Sequence, residues 1–165
     1  MSLYQTKYQS PIGELQLIAD DENLLLLKFI RSNNIENFIN SKFSNKKIYS
    51  KKNQILNKTT SQLSDYFLGK RIEFNIPINY VYGTEFQIKV WEKLRSIKYG
   101  ETLSYMDVAK LIDNPRSYRA VGNANNKNPI SIIIPCHRVI ANDGNLGGYG
   151  SGLKSKLLLL NLDKA

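Results

Sequence analysis

The chain has one cysteine and one histidine among its 165 residues. A single cysteine cannot form a disulfide within the chain, and one cysteine with one histidine cannot complete a closed structural zinc site. We therefore expect no metal and no cofactor. Cys136 is then an inert core residue, a reactive thiol or a residue of no consequence, and composition alone favours the small buried hydrophobe.

Long apolar runs are also lacking. The longest, residues 24–27 and 157–160, are far too short to span a bilayer. Residues 1–7 contain no apolar stretch after a basic start, so we see no signal peptide. The hydrophobic fraction of 42% and the plentiful aromatic residues disfavour a disordered chain. We expect a soluble cytoplasmic protein with no membrane partner.

Acidic residues are scarce beside basic ones, 14 against 23, which gives a net charge of +9. Such a surplus favours a polyanionic partner through phosphate contacts and counterion release, although lysine-rich proteins also use charge for solubility. Residues 114–142 contain four cations and no acid: Arg116, Arg119, Lys127 and Arg138. This local bias indicates nucleic acid more strongly than the total does.

The first third of the chain predicts a β-meander. Residues 4–9, 15–19 and 24–30 are strand-like, with turn residues between them. Residues 35–43 and 53–68 have helical spacing, and residues 72–78 are extended in character. The change of pattern at residues 79–83 predicts a domain boundary, with domains at residues 1–80 and 83–165.

After this boundary the pattern becomes helical. A helix capped by Thr84 runs to about residue 97, and Ser104 with Asp107 forms a capping box for a helix to about residue 112. Residues 113–115 break that helix, and a second helix covers about 117–125. Two short helices joined by a tight turn are typical of a helix-turn-helix. Residues 130–134 predict a buried strand or extended run, residues 143–152 a glycine-rich loop, and residues 152–162 a terminal helix.

The neighbours of Cys136 change the balance of interpretations. Pro135 stiffens the approach, and an imidazole and a guanidinium follow in His137 and Arg138. Cationic or hydrogen-bonding neighbours favour the thiolate, which is the nucleophilic form. Neighbouring side chains in an extended chain point to opposite faces, so His137 reaches the sulfur only if the chain turns or through a bridging water.

These residues carry a family resemblance. The blocks are Ile-Pro-Cys-His-Arg-Val at 134–139, Arg-Ala-Val-Gly at 119–122, Asn-Pro at 128–129 and Gly-Gly-Tyr-Gly at 147–150. In this order and spacing they resemble the O6-alkylguanine-DNA alkyltransferases over about residues 83–163. The resemblance implies an α+β protein, in which a ribonuclease-H-like N-terminal α/β domain precedes a mostly helical domain with a helix-turn-helix. It also implies a monomer that acts once on double-stranded DNA carrying alkylated guanine, with O4-alkylthymine as a second candidate lesion.

The resemblance assigns chemical roles to five residues. Cys136 accepts the alkyl group irreversibly, and His137 draws off the thiol proton through a water. Asp163 matches the acidic residue that orients the histidine; the family commonly has glutamate there, so this chain departs from the family by a shorter side chain. Asn128 holds the active-site turn, and Tyr105 crowds the backbone phosphate and donates toward the guanine ring.

Other positions match the family's DNA surface and base pocket. Arg119 matches the arginine finger that fills the gap left by the flipped nucleotide. Relatives usually have small residues beside this arginine, because the helix lies in the minor groove. Tyr118 is bulky and departs from that pattern. Further DNA contacts are expected at Asn114, Ser117, Ala120, Gly122 and Arg138. The substrate pocket is expected to be formed by backbone near Val139 and Gly150, by the ring of Tyr149 and by Lys156.

Three other protein classes fit parts of the pattern. A non-catalytic helix-turn-helix DNA-binding or lesion-sensing protein explains the charge, but it does not need the adjacent cysteine and histidine or the glycine loop. An alkyltransferase-like protein lacks the acceptor thiol that Cys136 provides. A cysteine hydrolase usually draws its histidine from a distant part of the sequence.

Overall fold

The computed structural model describes residues 1–31, 34–71, 73–149 and 152–164. The chain forms two compact units, Met1–Tyr82 and Gly83–Ala165. The first is built on a sheet and the second is mostly helical, so the predicted α+β class is confirmed. In the part of the chain that is described, no helix is long and apolar enough to cross a membrane.

The first unit contains a four-stranded sheet in the order β3-β2-β1-β4. Its strands are β1 (Leu3–Ser10), β2 (Gly13–Ala19), β3 (Leu24–Phe29) and β4 (Ile48–Tyr49). The first three form the predicted antiparallel meander, whereas β4 pairs parallel to β1 at one edge. Asp20 closes the turn between β2 and β3, because its carboxylate accepts hydrogen bonds from the backbone of Glu22 and Asn23.

Two helices accompany this sheet, α1 (Ile35–Lys42) and α2 (Gln54–Phe67). Asn53 caps α2 by accepting from the Leu56 N–H, and the helix buries Leu56, Leu63 and Tyr66 at its sheet-facing side. Of the predicted extended run 72–78, Ile72 lies outside the described residues. The remainder makes only an isolated parallel bridge, between Ile78 and Leu24, and no regular strand.

The second unit holds the helix-turn-helix. Its elements are α3 (Glu85–Leu94), β5 (Leu103–Ser104), α4 (Tyr105–Leu111), α5 (Tyr118–Asn126), β6 (Val139–Ile140) and α6 (Leu153–Lys164), with a 3₁₀ helix at Cys136–Arg138. The capping box predicted at Ser104 and Asp107 is present at the start of α4. The buried Trp91 indole donates to the Ala124 carbonyl at 2.7 Å and so fixes α3 against α5.

The strand predicted at residues 130–134 is wrong. This segment is a buried turn, in which Ile132 has the left-handed φ of 72° that a β-branched residue rarely adopts. The Asn128 amide holds the turn: its Nδ2 donates to the Ile134 carbonyl at 2.7 Å and its Oδ1 accepts from Ile130 N–H at 2.9 Å. An apolar run of this length reports burial, not backbone conformation, and the sequence pattern could not separate a strand from a turn.

Candidate active site

Cys136 is the first residue of the 3₁₀ helix and is buried. Its N–H donates to the Ile134 carbonyl at 2.8 Å, and its own carbonyl accepts from the Asn125 side chain at 3.3 Å. The chain therefore turns at the cysteine, which was one of the two conditions for His137 to act on the sulfur. The thiol position is fixed by the Asn128 turn on one side and by α5 on the other.

The thiol is held in its neutral form at rest. Burial raises the pKa of Cys136, because an apolar environment disfavours the charged thiolate. Hydrogen bonds from the side chains of Asn128 and Tyr149 oppose this shift, and the positive charge of Lys156 opposes it further. These opposing groups stabilise a thiolate once it forms.

The His137 imidazole is fully buried and lies against Asp163. The distance from His137 Nε2 to Asp163 Oδ2 is 2.9 Å. Aspartate at this position therefore reaches the histidine despite its shorter side chain. A carboxylate only accepts hydrogen bonds, so Nε2 carries the proton and the lone pair of neutral His137 lies on Nδ1. Among the described residues, no protein group hydrogen-bonds to that Nδ1.

Burial lowers the pKa of His137 below its ordinary value of 6.5, although Asp163 pulls it in the opposite direction. The positive charges of Arg138 and Lys156 lower it as well. His137 is consequently neutral at physiological pH. A neutral imidazole with an unshared lone pair is the form that accepts a proton as a general base.

The expectation that Arg138 contacts DNA is wrong. The side chain is buried, and its Nε donates to the same Asp163 Oδ2 at 2.8 Å while Nη1 donates to the Ile97 carbonyl at 2.9 Å. Its guanidinium also lies 5.7 Å from the centre of the Tyr99 ring. Sequence alone suggested a cation in a basic stretch, but the carboxylate of Asp163 satisfies this charge inside the unit.

Lys156 is buried on α6, and its ammonium donates to the Val139 carbonyl at 2.6 Å and to the Gly148 carbonyl at 3.0 Å. Burial lowers the pKa of Lys156 to about 8, and the thiolate of Cys136 acts to raise it. The lysine thus links the strand after the cysteine to the glycine-rich loop. It also places a positive charge close enough to the sulfur to affect its ionisation.

Tyr105 begins α4 and is half-buried. Its hydroxyl donates to the Gly148 carbonyl at 3.3 Å, so Tyr105 and Lys156 share one acceptor. Burial raises the pKa of Tyr105, and the negative charge of an ionised Cys136 raises it further. A β-carbon added to Gly147 would lie 2.9 Å from the Tyr105 hydroxyl oxygen, and one on Gly122 would lie 3.8 Å from the ring. A side chain at position 147 would therefore collide with Tyr105, whereas a β-carbon at position 122 would make an ordinary contact with the ring.

The predicted DNA-contacting residues fall into two groups. Asn114, Arg119 and Ala120 are exposed around the start of α5, whereas Ser117 and Tyr118 are half-buried there. The Arg119 guanidinium lies 5.8 Å from the centre of the Tyr118 ring. Gly122 faces Tyr105, as described above. Their contact with DNA stays a prediction, and Gly150 lies outside the described residues.

Two residues of the site were missed by sequence reasoning. Asn125 is buried on α5, and its side chain donates to the Cys136 carbonyl. An asparagine on the apolar side of a helix could have indicated this role from the sequence, because a buried amide needs a hydrogen-bond partner. Asn142 accepts from the Met106 N–H at 3.1 Å and so ties the segment after β6 to the first turn of α4. Nothing in the sequence distinguishes Asn142 from a solvated loop residue.

Comparison with known proteins covers both units. Residues 85–165 match the model for the 6-O-methylguanine DNA methyltransferase DNA-binding domain, and residues 3–80 match the model for the ribonuclease-like domain of the same family.

Individual relatives match nearly the full length. The chain is 41% identical over 161 residues to the methylated-DNA–protein-cysteine methyltransferase of Methanosarcina acetivorans, covering 98% of each. It is 38% identical to the constitutive enzyme of that name from Bacillus subtilis, covering 98% of this chain and 95% of the relative. Among solved structures, Mycobacterium tuberculosis OGT in complex with DNA superposes with a TM-score of 0.83 at 37% identity, over 99% of this chain and 93% of that one.

Proposed function

Since the chain belongs to the 6-O-methylguanine DNA methyltransferase family, we propose that it moves the alkyl group of O6-alkylguanine in double-stranded DNA onto the sulfur of Cys136. The observation that carries this proposal is the buried trio of Cys136, His137 and Asp163, in which the only thiol follows a stiff turn and precedes an oriented imidazole.

His137 acts as the base. Its Nε2–H donates to Asp163, so the Nδ1 lone pair takes the thiol proton, with one water between the two groups. The positive charge that develops on the imidazole is stabilised by the Asp163 carboxylate. Because burial raises the pKa of Cys136, the thiolate forms when substrate is in place and not at rest.

The thiolate then displaces guanine at the alkyl carbon. The S–C bond forms as the C–O bond breaks, and the electron pair stays on the O6 oxygen of the guanine. When the base is bound, the Tyr105 hydroxyl turns its single proton from the Gly148 carbonyl to the guanine ring and offsets this negative charge. Lys156 continues to donate to that carbonyl. The product is a thioether, which has no leaving group for a reverse step, so each chain reacts once.

The lesion must leave the base stack to reach a buried sulfur, at a cost of about a few kcal/mol. We propose that α5 lies on the DNA and that exposed Arg119 fills the space of the flipped nucleotide. The phosphate contacts of such a helix are largely independent of sequence, which suits a protein that searches all DNA. The acid-free stretch 114–142 supports this placement.

Mass spectrometry of the intact chain tests the proposal. After exposure to a duplex containing O6-methylguanine, the mass should rise by one methyl group, located on Cys136, and rise no further with excess substrate. Cys136→Ser should show no gain while it still binds the duplex. Multiple turnovers, or a methyl group elsewhere, would disprove the mechanism.

We also propose that the protein works as a monomer in the cytoplasm, with residues 1–80 and 83–165 as its domains. All the groups named above belong to residues 83–165 of one chain, which supports the monomer. A reducing compartment keeps a reactive thiol free, which supports the location.

A further inference from the structure

The first unit carries a second acid-free stretch, which the alkyl-transfer chemistry does not use. Residues 37–64 contain no Asp or Glu but contain lysines at 42, 46, 47, 51, 52 and 58. Five of them fall within eleven residues, from the end of α1 through the edge strand β4 to the start of α2, and all five are exposed. This density of one charge exceeds that of the stretch 114–142 in the second unit.

Two of these lysines surround a pair of tyrosines. The rings of Tyr4 and Tyr49 stack with centroids 5.9 Å apart and planes inclined at 29°. The ammonium of Lys47 lies 5.0 Å from the centre of the Tyr49 ring, and that of Lys51 lies 5.6 Å from Tyr49 and 5.8 Å from Tyr4. Both rings are partly exposed. We refer to these four residues as the tyrosine–lysine cluster.

We propose that the tyrosine–lysine cluster is a second nucleic-acid contact, which binds the sugar-phosphate backbone of DNA without regard to sequence. Lysine ammonium groups neutralise phosphates and release counterions, and flat tyrosine rings offer a surface for sugars or unpaired bases. The contacts between lysine and ring hold the ammonium groups close to that surface. The inference rests on the proposed function only in taking DNA as the polyanion that the protein meets.

The composition of the surface disfavours a lipid partner. None of the large exposed hydrophobic side chains in the described part of the chain lies in residues 34–58. A surface helix or loop that enters a bilayer interface needs such side chains beside its lysines. Charge is therefore the main attraction that this face offers.

A simpler role is protection of the sheet edge. Lysines beside an edge strand prevent strand-to-strand pairing between molecules, and β4 is an edge strand. Edge protection predicts that removal of the lysines causes self-association. It also predicts that DNA affinity falls only as much as it does when the same number of lysines is removed elsewhere. DNA contact predicts a loss of affinity that depends on which lysines are removed.

A matched pair of double variants separates these roles. Lys47→Gln with Lys51→Gln removes the two lysines of the cluster. Lys58→Gln with Lys70→Gln removes two other exposed lysines from the same unit and changes the net charge equally. The measurement is the affinity of the full chain for an undamaged duplex by fluorescence anisotropy, over a series of salt concentrations.

The cluster variant should bind more weakly at low salt, and its plot of log affinity against log salt should be shallower by about 1.8, since each phosphate contact contributes about 0.9. The control variant should keep the wild-type slope. Equal slopes for the two variants would overturn the proposal, and so would self-association of the cluster variant with an unchanged slope.

Alkyl transfer is followed in parallel. Both variants should transfer from the free alkylated base at the wild-type rate, because the cluster is not part of the proposed active site. If the wild-type chain binds duplex but transfers no alkyl group, the proposed function fails while a difference between the slopes still supports the cluster. If transfer is normal and the slopes are equal, only the second contact fails.

Discussion

Asp163 provides the most informative single substitution in the active site. Its Oδ2 accepts from His137 Nε2 at 2.9 Å and from Arg138 Nε at 2.8 Å, and its side chain is 2% exposed. Asp163→Asn keeps the size of the side chain but removes the charge. One amide oxygen then faces two buried donors, and the Arg138 guanidinium has lost the carboxylate that compensates its charge.

Two losses should follow from this change. Removing one partner of a buried ion pair costs about 3–5 kcal/mol, and we expect a loss of folding stability near the lower end because the amide oxygen still accepts a hydrogen bond. Positioned general-base catalysis contributes about 10²–10⁴-fold to rate. We therefore expect Asp163→Asn to slow alkyl transfer by at least about 100-fold.

The assay is single-turnover transfer of a labelled methyl group from duplex DNA, run below the unfolding temperature of the variant. Urea unfolding measures the stability loss separately. Asp163→Glu is the matched control, since it keeps the charge and should retain most of the rate. A folded Asp163→Asn variant that transfers within about threefold of wild type would show that the carboxylate does not assist His137.

Three further predictions concern the other groups. His137 is the only histidine, so the imidazole NMR signal of the folded chain should titrate below pH 6.5. Because the folded pKa of His137 lies below the unfolded one, its contribution to folding stability is present above pH 6.5 and is lost as the pH falls toward the folded pKa. A His137→Gln variant should not show this loss of stability. Cys136 should react with iodoacetamide more slowly than an exposed thiol at pH 8, and equal rates would contradict its buried neutral state. Arg119→Ala should reduce transfer from duplex DNA far more than transfer from free alkylguanine, whereas equal reductions would exclude the finger role.

Much of the architecture was predictable from local chemistry. The helix-turn-helix followed from the Ser104 capping box and the break at residues 113–115, and the structure confirms both helices. The family resemblance drawn from the blocks around Cys136 is confirmed by both family models. Those blocks are informative because each has a steric or chemical reason, such as Gly147 beside the Tyr105 hydroxyl.

The failures share one physical cause. The turn at residues 130–134 depends on a side chain, that of Asn128, which replaces the backbone pairing of a strand. The location of Arg138 depends on Asp163, which is 25 residues further along the chain. In both cases a side-chain hydrogen bond fixes the structure, and for Arg138 its partner is also distant in sequence. The periodicity of apolar residues reports neither feature.

The reach of Asp163 shows how the surrounding structure compensates for a shorter side chain. The end of α6 is held near the active site by the loop that follows α3, because the Tyr99 hydroxyl donates to the Leu162 carbonyl at 2.9 Å. Arg138 adds a second connection, because it bonds both Asp163 and the Ile97 carbonyl. Tyr99 therefore fixes the backbone at the end of α6, and Arg138 directs the carboxylate. An aspartate so constrained can orient His137 because its position is set by two neighbouring groups and not by its own length.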